Sequence, residues 1–432
     1  MTKIENKFFD WIRKHILLIF VVAITAFGIA IHLCGIDYQS DDYVSFLFPW
    51  WVEIEDSGLW GLATQIGNYN IPYQIITYLF TLTPLGPLYS YKALSIFFDL
   101  VLAVSAALLV YSFDSKKSHL KPVFTYALVF CSMTVVLNSA FWSQCDSIYV
   151  SFILLSIYFL KKEKNIPSFV MLGIAFAFKL QTVFILPVYL FYYVCTRRIS
   201  ILHFLIIPAV DFLMCLPAII LGRNPLDFLT IYAEQTDCGM LIQMNCPNIY
   251  AFICDGNDMY NYFLFKTLSI ILTITILGAG LCMLIFKRTD LSDKHNFLLA
   301  SIWTVFTCIM FLSSMHERYA YLLDILTIIY AVVNVKRVWL PIVCNLVSLR
   351  GYCFYLFAYD VLDIKITVVI FIAVYAYVSY IFIKEVILNG NKVDYENQLM
   401  NELEKGRKSG EENGWLSDEE VKEYFREKTM KK

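Results

Sequence analysis

Four short polar clusters interrupt an apolar chain, and each carries residue types that do chemistry. Asp41-Asp42 offers adjacent carboxylates. One can take a proton from a hydroxyl while the other orients it or holds a divalent cation. Trp142-Ser143-Gln144-Cys145-Asp146 sets an amide and a carboxylate beside an aromatic ring. Rings stack on the apolar faces of sugars, and amides and carboxylates bind their hydroxyls. Lys179, in Lys179-Leu180-Gln181, interrupts an apolar run, where a charge is expensive and usually functional. Its expected partner is a phosphate or an acid such as Asp42. His316-Glu317-Arg318-Tyr319 supplies a guanidinium fork that fits a phosphate through two bonds, with His316 as a second donor. Plainer readings compete with each motif: a hydrated loop acid, an interfacial Trp with a helix-capping Asp, a snorkelling lysine, a polar turn.

The spacing of basic residues favours the functional reading. Those that punctuate the apolar runs form seven groups: Arg13/Lys14, Lys116/Lys117/Lys121, Lys161/Lys162/Lys164, Arg197/Arg198, Lys287/Arg288/Lys294, Lys336/Arg337 and Lys384. Lys and Arg flank membrane helices on the cytoplasmic side. If all seven groups are inside, each stretch between them crosses an even number of times, and the polar clusters converge on the outer face.

Composition fixes the class. The chain is 59% hydrophobic and 16% charged, with a mean hydropathy of +0.63. A soluble core cannot absorb that much apolar surface, so the fold is an all-α polytopic membrane protein of roughly 10–13 transmembrane helices. The net charge of −2 gives no electrostatic footprint for nucleic acid. Residues 1–15 are expected to be a short basic segment on the inner surface, residues 16–384 the membrane domain, and residues 385–432 a charged cytoplasmic tail. Arg13 and Lys14 precede an apolar run without a small-residue cleavage site, which predicts a retained anchor.

Residues 35–87 form a first outer loop, with amphipathic, aromatic stretches near 46–54 and 71–83 that suit interfacial helices. Residues 223–262 form a long outer loop whose Cys238, Cys246 and Cys254 leave one disulfide open. Single spans are expected at 122–140 and 146–160. The run 166–195 reads as two short legs meeting at Lys179, with Pro187 bending the second, or as one tilted helix with inverted topology afterwards. Asp99, Asp211 and Asp324 fall inside spans and are expected to pair with Lys, Arg or polar backbone.

Several motifs in order resemble a known family. They are Ser40-Asp41-Asp42-Tyr43, Phe46-Leu47, Pro49-Trp50, Gly67-Asn68-Tyr69-Asn70, Pro72-Tyr73, Phe141-Trp142-Ser143-Gln144-Cys145-Asp146-Ser147, Phe178-Lys179-Leu180-Gln181 and Met315-His316-Glu317-Arg318-Tyr319. Together they resemble bacterial membrane glycosyltransferases of the GT-C superfamily, in the branch related to GPI mannosyltransferases. The resemblance spans about residues 15–385. It implies an acidic residue in the first outer loop, a polyprenyl-phosphate sugar donor, and inverting transfer at the extracytoplasmic face to a cell-envelope glycan or lipid. Asp42 stands where that family's acidic-aromatic dipeptide falls and is preferred to Asp41 as base. Ser143 occupies a position where the family often has Gly. Asp41-Asp42 is not a spaced Asp-x-Asp, so a role for Mg or Mn stays open.

The assembled expectation has Asp42, with Asp41, as the catalytic acid pair. Arg318, His316 and Lys179 bind the donor phosphate. Trp142, Gln144, Asp146, Asn68, Tyr69, Gln181 and Glu317 hold sugar or acceptor. The competing class is a transporter or flippase of lipid-linked sugar. A polysaccharide polymerase is a third reading, for which residues 223–262 are modest. Sugar, acceptor and linkage are not readable from the sequence.

Overall fold

A computed structural model describes residues 1–114, 117–236, 240–254, 261–392 and short stretches between 400 and 420. Among them there are helices and turns but no strand, only isolated bridges. Seven helices are long and apolar enough to cross a membrane: Lys3–Leu33, Pro87–Phe113, Ile201–Ile220, Tyr262–Phe286, Lys294–Phe311, Val335–Phe357 and Ile364–Leu388. Shorter apolar helices, Asn165–Phe178, Leu180–Thr196 and Tyr321–Val333, lie between them. The protein is an all-α polytopic membrane protein. The expected 10–13 spans counted such shorter legs as crossings.

Packing follows the apolar pattern. Helix Asp146–Lys161 lies between Pro87–Phe113 and Asn165–Phe178. Lys294–Phe311 and Tyr321–Val333 are buried almost throughout and form the centre. Lys3–Leu33 and Tyr262–Phe286 instead expose large apolar side chains such as Leu18, Val22, Phe263 and Ile274. In water such surfaces would associate; in lipid they are solvated.

Several expected elements change shape. The N-terminal segment is not separate: one helix runs from Lys3 to Leu33, started by a Thr2–Glu5 capping box. No proline interrupts it, and Gly28 lets the Phe130 ring pack closely. The single span expected at 122–140 is broken into Leu120–Phe130 and Met133–Phe141, bent by 44°. Ser132 between them is extended, and its hydroxyl donates to Asn345 Oδ1 at 3.1 Å. At 166–195 there are two legs. Lys179 takes an extended conformation (φ −155°, ψ 130°) between helix Asn165–Phe178 and the 3₁₀ turn Leu180–Ile185. Pro187 sits in the first turn of Leu186–Thr196, where a missing N–H costs nothing.

Within residues 35–87, helices Phe48–Ser57 and Ile71–Thr81 bury Trp51, Ile54 and Tyr73 while Phe46, Phe48, Val52 and Trp60 stay exposed. Residues 223–262 contain helices Asp227–Thr236 and Tyr250–Ile253. Cys238 lies outside the described residues, and Cys246 is a buried, unpaired thiol. One compact unit covers Met1–Gly390 and a second covers the tail Asn391–Lys432. In the tail, Arg407–Glu411 and Lys408–Glu404 pair across one helical turn.

The membrane-depth acids depart from expectation. Asp99 meets His32 Nε2 at 3.1 Å, and Asp211 accepts from Asn70 at 3.1 Å. Asp324 lies beside Ser348 and, among the described residues, meets no Lys or Arg. Its helix, Tyr321–Val333, is buried almost throughout.

Candidate active site

Asp42 is delivered by the end of the first helix. Beyond Leu33 the chain turns, and the buried Lys92 ammonium donates to the carbonyls of Gly35 (2.6 Å) and Tyr38 (2.5 Å). The ammonium thereby ties down the turn that follows the helix. Ser40 then donates to the Trp142 carbonyl at 2.9 Å and accepts from the Tyr43 amide at 3.2 Å. These bonds lock residues 35–43 against the Trp142 turn.

The turn itself is shaped by a widened helical stretch, Leu137–Phe141, and by Ser143 in the left-handed region (φ 64°). That is the conformation a glycine takes at little cost. It lets the Gln144 amide donate to the Asn138 carbonyl at 2.9 Å and turns both Trp142 and Gln144 toward Asp42. Trp142 Nε1 and Gln144 Nε2 donate to Asp42 Oδ2 at 2.7 and 2.8 Å. The Tyr355 hydroxyl donates to Oδ1. Tyr69 donates to Gln144 Oε1 at 2.8 Å, which fixes the orientation of the amide.

Asp146 opens helix Asp146–Lys161, where the helix dipole favours a carboxylate. Lys179 Nζ reaches its Oδ1 from the break between the two legs. Asn138 donates to Oδ2 at 2.7 Å. Arg318 comes from the turn between Lys294–Phe311 and Tyr321–Val333. Its Nη1 stands 3.7 Å from Asp42 Oδ2 and its Nε 3.7 Å from Asp146 Oδ2. Both separations exceed a hydrogen bond, and Nε has no acceptor. The guanidinium carbon lies 5.3 Å from the Trp142 ring centroid, a cation–π distance. Gly351 makes room for this turn, because a Cβ there would stand 2.7 Å from Glu317 Cβ.

Two carboxylates and two cations make the cluster neutral. Burial alone would pull the Arg318 guanidinium down. The Tyr69 phenol and the Asp42 and Asp146 carboxylates outweigh it and push it well up, so it stays charged. Burial pushes the Tyr69 phenol well above its ordinary value and Tyr319 up to about 12, so both remain hydrogen-bond donors.

Residues 69–315, more than half of the 432-residue chain, match the profile of glycosyltransferase family 87. The chain belongs to that family. Family 87 is a GT-C-type membrane glycosyltransferase family, in agreement with the resemblance seen in the sequence. No curated protein matches the chain. Family membership makes the protein a transferase, which removes the ground for the transport alternative. The matched segment holds Trp142, Gln144, Asp146 and Lys179. Asp42, Arg318 and Tyr355 lie outside it and reach the family 87 core only through the fold.

Inside this family 87 site, several expected roles change. Trp142 is fully buried, with Tyr355 stacked on it at 4.1 Å, so its ring has no free face for a sugar. Gln144 spends its amide on Asp42 and Tyr69. Asp146 is buried under Lys179, Asn138 and Arg318, so it has no opening to a hydroxyl. Lys179 faces Asp146 rather than a phosphate or Asp42. Asp41 is exposed and stands outside the cluster.

His316 is about one-third exposed, with Nδ1 3.8 Å from the buried Glu317 carboxylate. Asn68 is exposed beside Tyr69. Gln181 is buried near Tyr319, its Oε1 without a partner. Among the described residues no three His, Cys, Asp or Glu side chains group as a metal site.

Tyr355, Asn138, Tyr352 and Lys92 were missed from the sequence. Asn138 also donates to the Tyr352 hydroxyl at 3.1 Å. The tyrosines sit in an aromatic run, Tyr352-Cys353-Phe354-Tyr355, that reads as an interfacial belt. Lys92 carried a usable signal: a lysine inside an apolar helix.

Proposed function

We propose that the protein transfers a hexose from a polyprenyl-phosphate donor to a cell-envelope glycan or lipid acceptor, with inversion, at the extracytoplasmic face. The observation that carries this reading is Arg318. It is a charged guanidinium whose Nη1 stands 3.7 Å from a partly exposed carboxylate, Asp42. In one displacement the acceptor oxygen attacks the anomeric carbon and its proton passes to Asp42. The bond from that carbon to the phosphate oxygen breaks, and the lipid phosphate leaves with the electron pair. Arg318, aided by His316 from the exposed rim, stabilises the charge on that leaving group.

Lys179 neutralises Asp146 and so keeps Arg318 between two carboxylates. Trp142, Gln144 and Tyr355 hold Asp42 in line. Asn68, exposed beside Tyr69, is the expected polar residue left for sugar hydroxyls. Asp42 Oδ2 accepts from Trp142 and Gln144 and Oδ1 from Tyr355, with Arg318 close by, a set that suits a hydrogen-bonded base better than a Mg or Mn ligand. The side of the membrane is supported by the helices that carry the cluster. Lys161, Arg197 and Lys336 stand at or beyond their opposite ends.

The test is transfer by the full chain in liposomes. It uses a panel of labelled undecaprenyl-phosphate hexoses and a lipid extract from the source strain lacking the gene. The reading predicts a new glycolipid or glycan product with anomeric configuration opposite to the donor. A product of retained configuration contradicts it, as does movement of lipid-linked sugar with no new glycosidic bond.

A further inference from the structure

Arg223 lies far along the chain from every residue singled out above, in the turn after helix Ile201–Ile220, yet only 2% of it is exposed. Burying a guanidinium costs several kcal/mol unless its donors are met. Here they are met in one direction. Nε donates to Asp227 Oδ2 at 2.6 Å. Nη1 donates to the Thr64 carbonyl at 2.5 Å and to Gln74 Oε1 at 3.3 Å. Nη2 donates to Gln65 Oε1.

Gln65 passes the constraint on. Its Nε2 donates to the carbonyls of Gly67 at 2.7 Å and Tyr69 at 2.9 Å. Gly67 has φ 74°, and any Cβ there would enter the Trp50 ring at 2.5 Å, so this loop has one close-packed shape. Tyr69 then donates its hydroxyl to Gln144, and Gln144 donates to Asp42. Hydrogen bonds on either side of Tyr69, joined by its rigid aromatic side chain, connect Arg223 through Gln65 and Gln144 to the Asp42 carboxylate.

The structure assigns Arg223 as a positioning residue for Asp42, acting through Gln65, Tyr69 and Gln144. The assignment rests on Asp42 being the base. A lysine in its place keeps the charge but offers a single ammonium, which cannot span Asp227, the Thr64 carbonyl and Gln65 together. Small displacements of a base are costly, because effective proximity falls steeply with misplacement.

The experiment is a double-mutant cycle on the reconstituted full chain, with Arg223→Lys, Tyr69→Phe and their combination, and with transfer measured from the undecaprenyl-phosphate hexose panel. Each single change is expected to lower kcat on the order of tenfold, with donor KM within a fewfold of the parent because the Arg318 guanidinium and the Asp42 and Asp146 carboxylates beside it are kept. The combination is expected to fall no further than the weaker single variant, since both cut one relay. If Arg223→Lys does not fold, Gln65→Met cuts the same relay one step nearer and takes its place. A single variant indistinguishable from the parent overturns the assignment, as do losses that multiply in the combination. Asp42→Asn is run alongside: inactivity there with a failed cycle overturns the relay alone, whereas full activity removes the base on which it rests.

Discussion

Replacing Lys179 separates a scaffold role from a phosphate-binding role. The Lys179 and Asp146 side chains are 6% and 2% exposed and in direct contact. Lys179→Met leaves the Asp146 carboxylate buried with Asn138 and a guanidinium 3.7 Å away. Removing one partner of a buried pair costs about 3–5 kcal/mol, and the residual Arg318 attraction puts this case near the lower end. About 3 kcal/mol corresponds to roughly a hundredfold in the folded-to-unfolded ratio. Lys179→Met/Asp146→Asn removes both charges and keeps an acceptor for Asn138, so stability is expected to return to within about 1 kcal/mol of the parent.

The assays are the half-life of the detergent-solubilised protein at fixed temperature and donor KM in liposomes. Half-life is the appropriate measure because unfolding of such proteins is irreversible. A lysine on the donor phosphate would make a charged hydrogen bond of about 1.5–3 kcal/mol, and its loss would raise KM roughly 10–150-fold. The scaffold role predicts a short-lived single variant, and a long-lived double variant whose donor KM stays within a fewfold of the parent. A long-lived double variant with KM raised tenfold or more would refute the reasoning.

Other outcomes follow from the same contacts. Trp142→Phe keeps the stack on Tyr355 but deletes the Nε1 donor to Asp42, so kcat is expected to drop on the order of tenfold; a sugar-stacking Trp would tolerate Phe. Gly351→Ala places a Cβ 2.7 Å from Glu317 Cβ. The turn carrying Arg318 must then shift, at a stability cost of about 1–3 kcal/mol and with raised donor KM, read by thermal half-life and liposome kinetics. Exhaustive chelation with EDTA is expected to leave the transfer rate unchanged, because donors and a cation surround Asp42; loss of activity restored by Mg or Mn would show that a metal enters this site.

Much of this architecture was legible because lipid permits few solutions. The apolar runs and their basic punctuation located most helices, and the polar residues at helix ends, Asp42, Gln144, Asp146, Lys179 and Arg318, meet as one cluster. What stayed hidden was the division of labour within that cluster. Residue types cannot tell whether Trp142 shows its face to a ligand or its Nε1 to a carboxylate, because that depends on Tyr355 from a distant helix. Nor can they tell whether Lys179 meets Asp146 or a phosphate. The break at Ser132 was missed because the residues around it, Val129 to Val136, are as apolar as any straight span. Arg223 carries no signal of its own in the sequence, standing at the edge of the 223–262 loop. Its burial arises from contacts with Thr64, Gln65 and Gln74, more than a hundred residues earlier in the sequence.

The most direct measurement compares the two neighbouring acids. Purified Asp42→Asn and Asp41→Asn are reconstituted side by side, and transfer from undecaprenyl-phosphate hexose is timed. Asparagine at 42 keeps the size and an acceptor oxygen but cannot take a proton, so the rate is expected to fall about 10²–10⁴-fold with donor binding retained. Asp41→Asn, at the exposed position outside the cluster, is expected to stay near the parent rate. Full transfer by Asp42→Asn, or a loss that tracks Asp41 instead, would contradict the assignment of the base.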